Sequence, residues 1–596
     1  MICVSLMPRS TDEALLDLTR LASVLSSFSS VQSAIRNLQS AMSVELRLDA
    51  IQAPDLPRLL ARPPCPLILT CRPKREGGLY DGPEEPRLEL LRQAARLGAQ
   101  YIDIEHDAFQ ALGPVAPAKR IVSYHNFRET PPDLDAVHAR LARLGADVVK
   151  IAVTANHILD TVPVLRLLRA ARVPTIALSM GPRGLLTRIL APKFGAFLTY
   201  ASFDSDEGSP PPARRSTPGD ERSESPGLFS LRAPFNARRS IPNPPFDHAR
   251  GDPECVEGSK GNPQSEAGPG QLSLSDMLNL YRVHRIGPAT RVFGVIADPV
   301  AHSLSPPIHN AAFADAGIDA VYLPLWVEGD PAAFVRAFRE FGFDGYSVTI
   351  PHKQKVMAAM DDLAPLARRI GAINTVVRRP DGSLFGTNTD ISAGIASIEA
   401  VVGKGWLRGK RALLLGAGGL GRAMAFALAD AGTILTLTDL DSARAEALAR
   451  ELAAASGLSS RAQSRRAGIE GSRLAAVLSQ SAIRNFTRRS LGEGGPKSAM
   501  VYDLLLNCSP VGMHPDRAAS PVPAEMLRKD MVVYDAVYNP AETKLLRDAR
   551  AAGCRTVAGI DHFVRQAVEQ FELWTGQPAP VETMRRVVLE TLTPPA

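Results

Sequence analysis

The chain has 596 residues, too many for one hydrophobic core, and typical domain sizes predict three or four folded units. Its apolar and charged fractions, 45% and 22%, are those of a soluble globular protein. The net charge of +6 is spread along the chain, which disfavours a nucleic-acid partner. No segment reaches the ~18 uncharged apolar residues of a membrane span and no signal sequence is recognisable, so we expect a cytoplasmic protein with no membrane partner. Six cysteines without C-x-x-C spacing or histidine clustering predict reduced thiols and no metal.

The first half of the chain alternates short apolar strands with helical segments. Eight strand-like segments follow one another, and they read ICVSL, SVELRLDAI, CPLILTCR, YIDIEH, RIVSYHNF, VVKIAV, TIALSM and FLTYAS. Eight strands with intervening helices predict an α/β fold, the (β/α)8 barrel, whose chemistry lies at the C-terminal ends of the strands. Polar residues occur in or just after the later part of these strands, namely Glu45, Arg47, Arg72, Glu76, His125, Lys150 and Arg188.

Lys150 lies inside the apolar segment DVVKIAV. A lone lysine in a strand is commonly an edge residue, or one that extends its amine to solvent. Burial and nearby arginines would instead lower the pKa of this amine and make it a nucleophile. The strand alone leaves both interpretations open.

Six motifs of this half occur in order: E-x-R-x-D at 45–49, R-x-x-x-E-G-G at 72–78, S-Y-H at 123–125, K-I-A at 150–152, S-M-G at 179–181, and Arg188. With them the segment resembles type I 3-dehydroquinate dehydratases, which form a Schiff base between a barrel lysine and the substrate ketone. The resemblance implies that Lys150 is the nucleophile, that His125 is the general acid/base and that Glu76 orients His125. It also implies substrate-binding roles for Glu45, Arg47, Arg72, Arg188 and Gln271.

Two stretches depart from that family. The segment that would close the barrel reads A-G-P-G-Q, so Ala267 replaces a serine while Gln271 is kept. Residues of about 205–263 are rich in Ser, Pro, Gly and Arg without apolar periodicity, which predicts disorder. The pentapeptide SAIRN occurs at 33–37 and again at 481–485, which indicates a dispersed genetic element inserted at surface loops; a recognition tail for a partner is the alternative.

The second half opens with the segment GVIADPVAHSLSPPIHN at 294–310. An apolar strand is followed by a cluster that we expect to be neither strand nor helix, because it is rich in proline and serine. Ser303 and Ser305 can aim hydroxyl and N–H groups at a small anion such as a carboxylate. This loop therefore predicts a binding site.

Further along, RALLLGAGGLGRAMAFALADAG predicts a strand, a glycine turn and a helix. Its G-x-G-x-x-G pattern permits a tight turn and close approach of a pyrophosphate to the helix N-terminus, as in Rossmann-type nucleotide domains. The predicted coenzyme-binding residues are Gly416, Ala417, Gly418, Gly419 and Gly421.

Five segments of this half occur in order: the serine loop, GYSVTIPHK, GAINTVV, GTNTDISAG and GIDHFVRQAVEQFELWTG. With them, this half is similar to shikimate dehydrogenases. The resemblance implies that Lys353 and Asp390 are catalytic, where an exposed salt bridge would be the alternative. Ser347 stands where many members have Asn. The implied substrate-binding residues are Ser303, Ser305, Thr349, Asn374, Tyr538 and Gln566.

The coenzyme is where the chain departs from this family. NADP-dependent members usually carry Asn-Arg-Thr or Asn-Arg-Ser after the second nucleotide-domain strand, and here Asp439, Leu440 and Asp441 occupy those places. Asp439 lies 18 residues beyond Gly421, close to the spacing at which an acidic residue accepts the ribose hydroxyl of NAD. The family implies NADP(H), whereas Asp439 and Leu440 favour NAD(H). Arg422, Ser442 or Arg444 are the residues left to bind a phosphate.

The whole pattern resembles a fused dehydroquinate dehydratase/shikimate dehydrogenase, with 3-dehydroquinate and 3-dehydroshikimate or shikimate as substrates. We expect a barrel at 1–285, a substrate domain at 290–395 completed by about 558–596, and a dinucleotide-binding domain at 396–557 with an insertion near 456–499. Two alternatives stay open: a fusion in which only the dehydrogenase is active, and a non-catalytic sensor or repressor built from these domains. An oligomer is compatible with the sequence.

Overall fold

The structure is a computed structural model that describes residues 1–31, 42–203, 271–301, 303–455, 476–477 and 502–592. Ala267, the segment predicted to be disordered and both copies of SAIRN lie outside the described residues, as does most of the insertion near 456–499. Within the described ranges, no helix has the length and apolar character that crossing a bilayer requires. The chain divides into two compact units, Met1–Thr290 and Arg291–Ala596.

The first unit is built on eight parallel strands: β1 (Ile2–Leu6), β2 (Met42–Arg47), β3 (Leu67–Thr70), β4 (Tyr101–Glu105), β5 (Lys119–Asn126), β6 (Val148–Thr154), β7 (Thr175–Met180) and β8 (Thr199–Ser202). Their spatial order runs from β7 through β6, β5, β4, β3, β2 and β1 to β8, which is that of a nearly closed barrel. The accompanying helices are α1 (Thr11–Val31), α2 (Leu56–Leu60), α3 (Glu84–Arg96), α4 (Phe109–Leu112), α5 (Leu134–Ala142), α6 (Thr161–Ala170) and α7 (Leu185–Ile189). The predicted (β/α)8 barrel is confirmed.

Alternate residues of each barrel strand share a face, because side chains in a strand repeat with a period of two. In β6 the inner face carries Val148 and Ala152, which belong to a buried apolar cluster, and Lys150 lies between them. In β5 the same face carries Ile121 in that cluster and then Ser123. The interior is therefore apolar at the N-terminal ends of the strands and becomes polar toward their C-terminal ends.

The first sheet of the second unit is mixed. Its strands are β9 (Arg291–Ala297), β10 (Ala320–Trp326), β11 (Gly345–Val348), β12 (Asp362–Leu363), β13 (Thr375–Arg378) and β14 (Leu384–Thr387). They lie in the order β10, β9, β11, β13, β14, β12. Four helices follow the chain through this region, α8 (Ser305–Asp315), α9 (Pro331–Phe338), α10 (Pro365–Ile370) and α11 (Thr389–Val402).

The second sheet is parallel and has the strand order of a Rossmann-type domain. Its strands are β15 (Arg411–Leu415), β16 (Ile434–Thr438), β17 (Ala476–Val477), β18 (Leu504–Asn507), β19 (Val532–Asp535) and β20 (Arg555–Val557). They lie in the order β17, β16, β15, β18, β19, β20. The helices are α12 (Gly419–Asp430), α13 (Ser442–Ala455) and α14 (Lys544–Ala551), and the chain then continues into α15 (Gly559–Thr575) and α16 (Val581–Leu592).

Helix α15 returns to the first sheet of this unit. Phe571 and Trp574 join Phe293 and Phe313 in one buried cluster. The indole Nε1 of Trp574 also donates to the carbonyl oxygen of Val376 at 2.9 Å. The C-terminal residues therefore contribute to the core of the mixed sheet.

The serine loop corrects one expectation. We expected neither strand nor helix through the proline cluster, yet α8 begins at Ser305 and includes Pro306 and Pro307 in its first turn. Proline is tolerated there because the first N–H groups of a helix have no intrahelical acceptor. The prediction of a turn was wrong because it treated proline as a breaker at every helix position.

Candidate active sites

Lys150 is the centre of a buried polar group inside the barrel. Its side chain is only 6% exposed, and its Nζ donates to Glu45 Oε1 at 3.0 Å and to Asp103 Oδ2 at 2.7 Å. The nitrogen also lies 4.5 Å from the centroid of the Tyr200 ring. The sequence predicted arginines beside this lysine, whereas the groups in hydrogen-bond contact are two carboxylates.

Arg72 links this lysine to the neighbouring strands. Its guanidinium lies 3.0 Å from Asp103 Oδ2 and donates at 2.8 Å to both Glu105 Oε1 and Ser123 Oγ. From α3, the fully buried Arg87 donates to the other oxygen of Glu105 at 2.8 Å. Burial opposes the charged form of Asp103, but Arg72 and Lys150 outweigh it and hold the pKa of this carboxyl well below its usual value.

The sequence reading did not select Asp103 and Glu105, although a signal was present. The strand YIDIE places two acids at alternate positions between isoleucines that are also buried. Two acids on one face of an apolar strand require partners, because an unpaired buried charge is costly. Asp103 and Glu105 are therefore structural members of the site that the motifs did not cover.

His125 and Glu76 form a second pair at the mouth of the barrel. The imidazole Nδ1 lies 3.1 Å from Glu76 Oε2. Burial raises the pKa of Glu76 to about 7. Burial also lowers the pKa of His125 well below 6.5, and the positive charges of Arg72 and Lys150 lower it further. The imidazole is therefore neutral near pH 7, and the carboxyl beside it titrates there.

Three further barrel residues were predicted from the sequence to bind substrate, and the structure places them in different surroundings. Arg47 makes a two-pronged contact with Asp49, at 2.9 and 2.6 Å. Arg188 is buried, its Nε has no hydrogen-bond partner among the described residues, and burial lowers its pKa to about 10. Gln271 lies at the C-terminal end of β8, because the carbonyl of the next residue accepts a hydrogen bond from the Ser202 N–H at 2.8 Å.

In the second unit, Lys353 and Asp390 form a close ion pair. Lys353 Nζ donates to Asp390 Oδ2 at 2.5 Å, and Asn374 Nδ2 donates to the other carboxylate oxygen at 2.8 Å. Asp390 is in the first turn of α11, where the Asn388 side chain caps the helix by accepting from the Asp390 N–H. Burial opposes the charged form, but Lys353 and then His562 hold the pKa of Asp390 well below its usual value.

This pair lies in a cleft of about 1670 Å³ in the second unit. The cleft brings together the substrate-binding and coenzyme-binding residues predicted for this half of the chain, with the exception of Gly421. They are Ser303, Ser305, Thr349, Asn374, Tyr538, Gln566, Gly416, Ala417, Gly418, Gly419 and Asp439 with Leu440; Gly421 lies in the first turn of α12 and does not line the cleft. Tyr538 stacks on Phe563 at 4.4 Å between ring centroids.

Ser347, the residue that differs from many relatives, has a defined role in the packing. It accepts a hydrogen bond from the Tyr322 hydroxyl at 2.6 Å and donates to Gln570 Oε1 at 2.8 Å. Gln570 in turn donates to Thr375 Oγ1 at 3.0 Å. The sequence reading missed Gln570, which lies one helical turn beyond Gln566 and was detectable by that spacing.

The glycine turn before α12 fits a dinucleotide pyrophosphate. A Cβ on Gly421 would lie 1.8 Å from the carbonyl oxygen of Gly416, so only glycine permits this turn. Gly416 itself has a φ of 97°, which favours glycine. A Cβ on Gly418 would meet no atom within 4 Å, so the backbone at the helix N-terminus is open to an approaching phosphate.

Asp439 is held at the end of β16 by the glycine turn. Its carboxylate accepts from the Ala417 N–H at 2.6 Å and from the Asp441 N–H at 2.9 Å. Arg444 lies 4.0 Å from Asp439 Oδ1. Arg422 is engaged elsewhere, by the carbonyl of Ile370 and the carboxylate of Glu451.

Three family models match the chain: type I 3-dehydroquinase at residues 23–219, the shikimate dehydrogenase substrate binding domain at 295–376, and the shikimate 5'-dehydrogenase C-terminal domain at 559–589. A chloroplastic bifunctional 3-dehydroquinate dehydratase/shikimate dehydrogenase of Arabidopsis thaliana is 35% identical over 563 residues, which cover 90% of this chain and 78% of the relative. The chain belongs to this bifunctional dehydratase/dehydrogenase family.

Other similar proteins match either about half of this chain or nearly its whole length. The shikimate dehydrogenase (NADP(+)) of Moorella thermoacetica is 41% identical over 308 residues, which are 51% of this chain and 94% of that protein. A solved structure of the dehydroquinate dehydratase and shikimate dehydrogenase from S. pombe AroM covers 99% of this chain and 98% of its own, with 22% identity and a TM-score of 0.39.

In the described part of the chain, no three His, Cys, Asp or Glu residues cluster as metal ligands.

Two glycine substitutions test the coenzyme turn. Gly421→Ala forces the turn open, since its Cβ would overlap the Gly416 carbonyl. We expect the dehydrogenase kcat/KM to fall about 100-fold, the effect of a displacement of roughly 1 Å near a reacting group. Gly418→Ala has room for its Cβ, so we expect an unchanged melting temperature with a raised coenzyme KM. Unaltered coenzyme KM values in both variants would contradict this assignment; dehydratase activity is the internal control.

Proposed function

We propose that the first unit dehydrates 3-dehydroquinate to 3-dehydroshikimate and that the second unit reduces 3-dehydroshikimate to shikimate with a nicotinamide coenzyme. These are two consecutive steps of aromatic amino-acid biosynthesis. Membership of the bifunctional family supports both activities. The observation that carries the proposal is that each unit holds a nearly buried lysine hydrogen-bonded to a carboxylate, at the position implied by its motif.

In the barrel, Lys150 is the nucleophile that attacks the substrate ketone. The iminium that forms draws electrons from the adjacent carbon, so the C2 proton becomes acidic enough for His125 to remove. His125 then returns a proton to the departing C1 hydroxyl. The neutral form of His125 near pH 7 supports its role as the base.

The other barrel residues bind or orient. Glu76 accepts from His125 Nδ1 when it is ionised, which leaves Nε2 free to take a proton. Arg188 is suited to the substrate carboxylate, because its buried guanidinium offers an unpaired donor. Glu45, Arg47, Arg72 and Gln271 complete the polar wall of the substrate site.

Trapping of the Schiff base tests the first activity. Borohydride added with 3-dehydroquinate should reduce the iminium and leave a stable adduct on Lys150, detected by peptide mass spectrometry. Lys150→Ala should abolish both adduct and dehydration, whereas Lys119→Ala, at an exposed lysine of β5, should keep both. The nucleophile assignment is wrong if the adduct appears on another lysine, or if Lys150→Ala still dehydrates at the normal rate.

The pH dependence of dehydration tests the Glu76–His125 pair. Protonated Glu76 would donate to Nδ1 and leave the proton of the imidazole on Nε2, where it blocks base catalysis. Since burial raises the pKa of Glu76 to about 7, the rate should rise with pH through about 7. Glu76→Gln should remove this inflection and lower kcat about 100-fold. Glu85→Gln, at an exposed carboxyl of α3, should retain it; an inflection that survives Glu76→Gln would reject the assignment.

In the dehydrogenase, Lys353 and Asp390 move the proton of the substrate alcohol and orient the carbonyl. Ser303 and Ser305 bind the carboxylate of the substrate. Thr349, Asn374, Tyr538 and Gln566 hold its hydroxyls, an assignment supported by their common place in the cleft. When bound, the nicotinamide coenzyme supplies or accepts the hydride.

We further propose that NAD(H) is preferred over NADP(H), although the matching shikimate dehydrogenases are named for NADP(+). The carboxylate of Asp439 is held by two backbone N–H groups next to the glycine turn, a suitable position for accepting ribose hydroxyls. A 2'-phosphate would meet like charge there. Arg444 approaches only to 4.0 Å and is largely exposed, so it offsets that repulsion weakly.

Coenzyme kinetics test this preference. The ratio of kcat/KM with NAD to kcat/KM with NADP should exceed one for shikimate oxidation. The double variant Asp439→Asn, Leu440→Arg should move the ratio toward NADP about ten-fold or more, since it removes a repulsion and adds a phosphate partner. Asp441→Asn, at the exposed neighbouring carboxylate, should change the ratio little. A wild-type preference for NADP would refute the proposal.

A further inference from the structure

Tyr200 is the aromatic neighbour of the Lys150 amine. It lies in β8 on the inner face of the barrel, where it is 5% exposed and belongs to the buried apolar cluster. Lys150 Nζ is 4.5 Å from the centroid of its ring. This distance is within the range in which the negative face of an aromatic ring attracts a cation.

The hydrogen bonds of Lys150 cannot all survive the reaction. The ammonium has three N–H groups, and two of them donate to Glu45 and Asp103. Schiff-base formation, R–NH3⁺ + O=CR2 → R–NH⁺=CR2 + H2O, leaves one N–H on a nitrogen that still carries positive charge. At most one of the two carboxylate hydrogen bonds therefore persists in the iminium.

The contact with the ring does not depend on N–H groups. Attraction between a cation and an aromatic face is electrostatic and needs no donor, so it persists in the iminium, and it is stronger there because the nitrogen has lost hydrogen bonds that solvate its charge in the ammonium. Burial raises the pKa of the Tyr200 phenol well above 10, and Glu45 raises it further, so the ring remains neutral. The phenol oxygen is buried and has no hydrogen-bond partner among the described residues.

We propose that Tyr200 is a further catalytic residue of the dehydratase, whose ring face stabilises the positively charged iminium on Lys150. This inference rests on the proposed Schiff-base function of the barrel. The ring compensates for hydrogen bonds that the nitrogen loses as the iminium forms. The stabilisation belongs to the π face and not to the hydroxyl.

A graded series of ring substitutions tests this role. Tyr200→Phe serves as the reference, and Tyr200 is then replaced by 4-fluoro-, 3,5-difluoro- and 3,4,5-trifluorophenylalanine through genetic code expansion. Each fluorine weakens the negative face of the ring with little change in its size. The rate at which limiting borohydride labels Lys150, in saturating 3-dehydroquinate, reports the fraction of iminium. We expect this rate to fall steadily, by about ten-fold across the series.

The possible results distinguish the role of Tyr200 from the Schiff base itself. A labelling rate that is constant across the fluorinated series, with Lys150 still labelled, overturns the role of Tyr200 and leaves the Schiff base intact. The absence of label on Lys150 in the wild-type chain overturns the Schiff base and the inference with it. Tyr200→Leu, which keeps an apolar side chain but has no ring, should lower labelling at least ten-fold. An unchanged circular-dichroism spectrum and melting temperature of the same chains report that the barrel remains folded.

Discussion

The barrel site depends on one constraint, that charges taken out of water must be paired. An unpaired buried ion costs several kcal/mol, so each charge inside the barrel requires a counter-charge at hydrogen-bond distance. Asp103 lies between the Lys150 ammonium and the Arg72 guanidinium, and Glu105 lies between Arg72 and Arg87. This chain of alternating charge fixes the Lys150 side chain within the barrel. The parallel register of the strands, which sets these residues side by side, is therefore as important to the chemistry as the residues themselves.

In the dehydrogenase cleft the buried charge is also paired, but fewer charged side chains take part and a helix N-terminus contributes. Asp390 is buried at the N-terminus of α11, where the helix dipole favours a negative charge, and it has Lys353 and Asn374 as partners. The lysine comes from the loop after β11 and not from a strand. Lys353 contacts Asp390 Oδ2, whereas Asn374 contacts the other carboxylate oxygen, so in the proposed reaction the lysine could exchange a proton while Asn374 still holds the carboxylate. The barrel lysine, for which we propose a covalent bond to the substrate, is held by two carboxylates instead.

Much of this arrangement could be predicted from the sequence, because strand periodicity and short motifs are local. Glu45, His125 and Lys150 could be placed at one end of a barrel, and the glycine turn could be placed between a strand and a helix. The strand YIDIE indicated that Asp103 needs a partner, but not that this partner is Lys150, which lies two strands away in the sheet. The start of α8 at Ser305 was missed because the first turn of a helix accepts proline. The features that we could not predict were therefore which residues pair across distant strands and where a helix begins in a proline-rich segment.

The balance of buried charges in the barrel bears on the kind of substrate that the site can bind. Among the described residues, the buried cations of the network are matched by Glu45, Asp103 and Glu105, and Arg47 is matched by Asp49. Arg188 has no such partner, and burial alone lowers its pKa to about 10. Its guanidinium remains charged near neutral pH, and the described residues of the barrel give it no counter-charge at hydrogen-bond distance. In the dehydratase proposed above, a substrate carboxylate would supply a counter-charge with geometry that an arginine fork matches, whereas a neutral analogue would not. The proposed selection for an acidic substrate thus rests on the same pairing rule that holds Lys150.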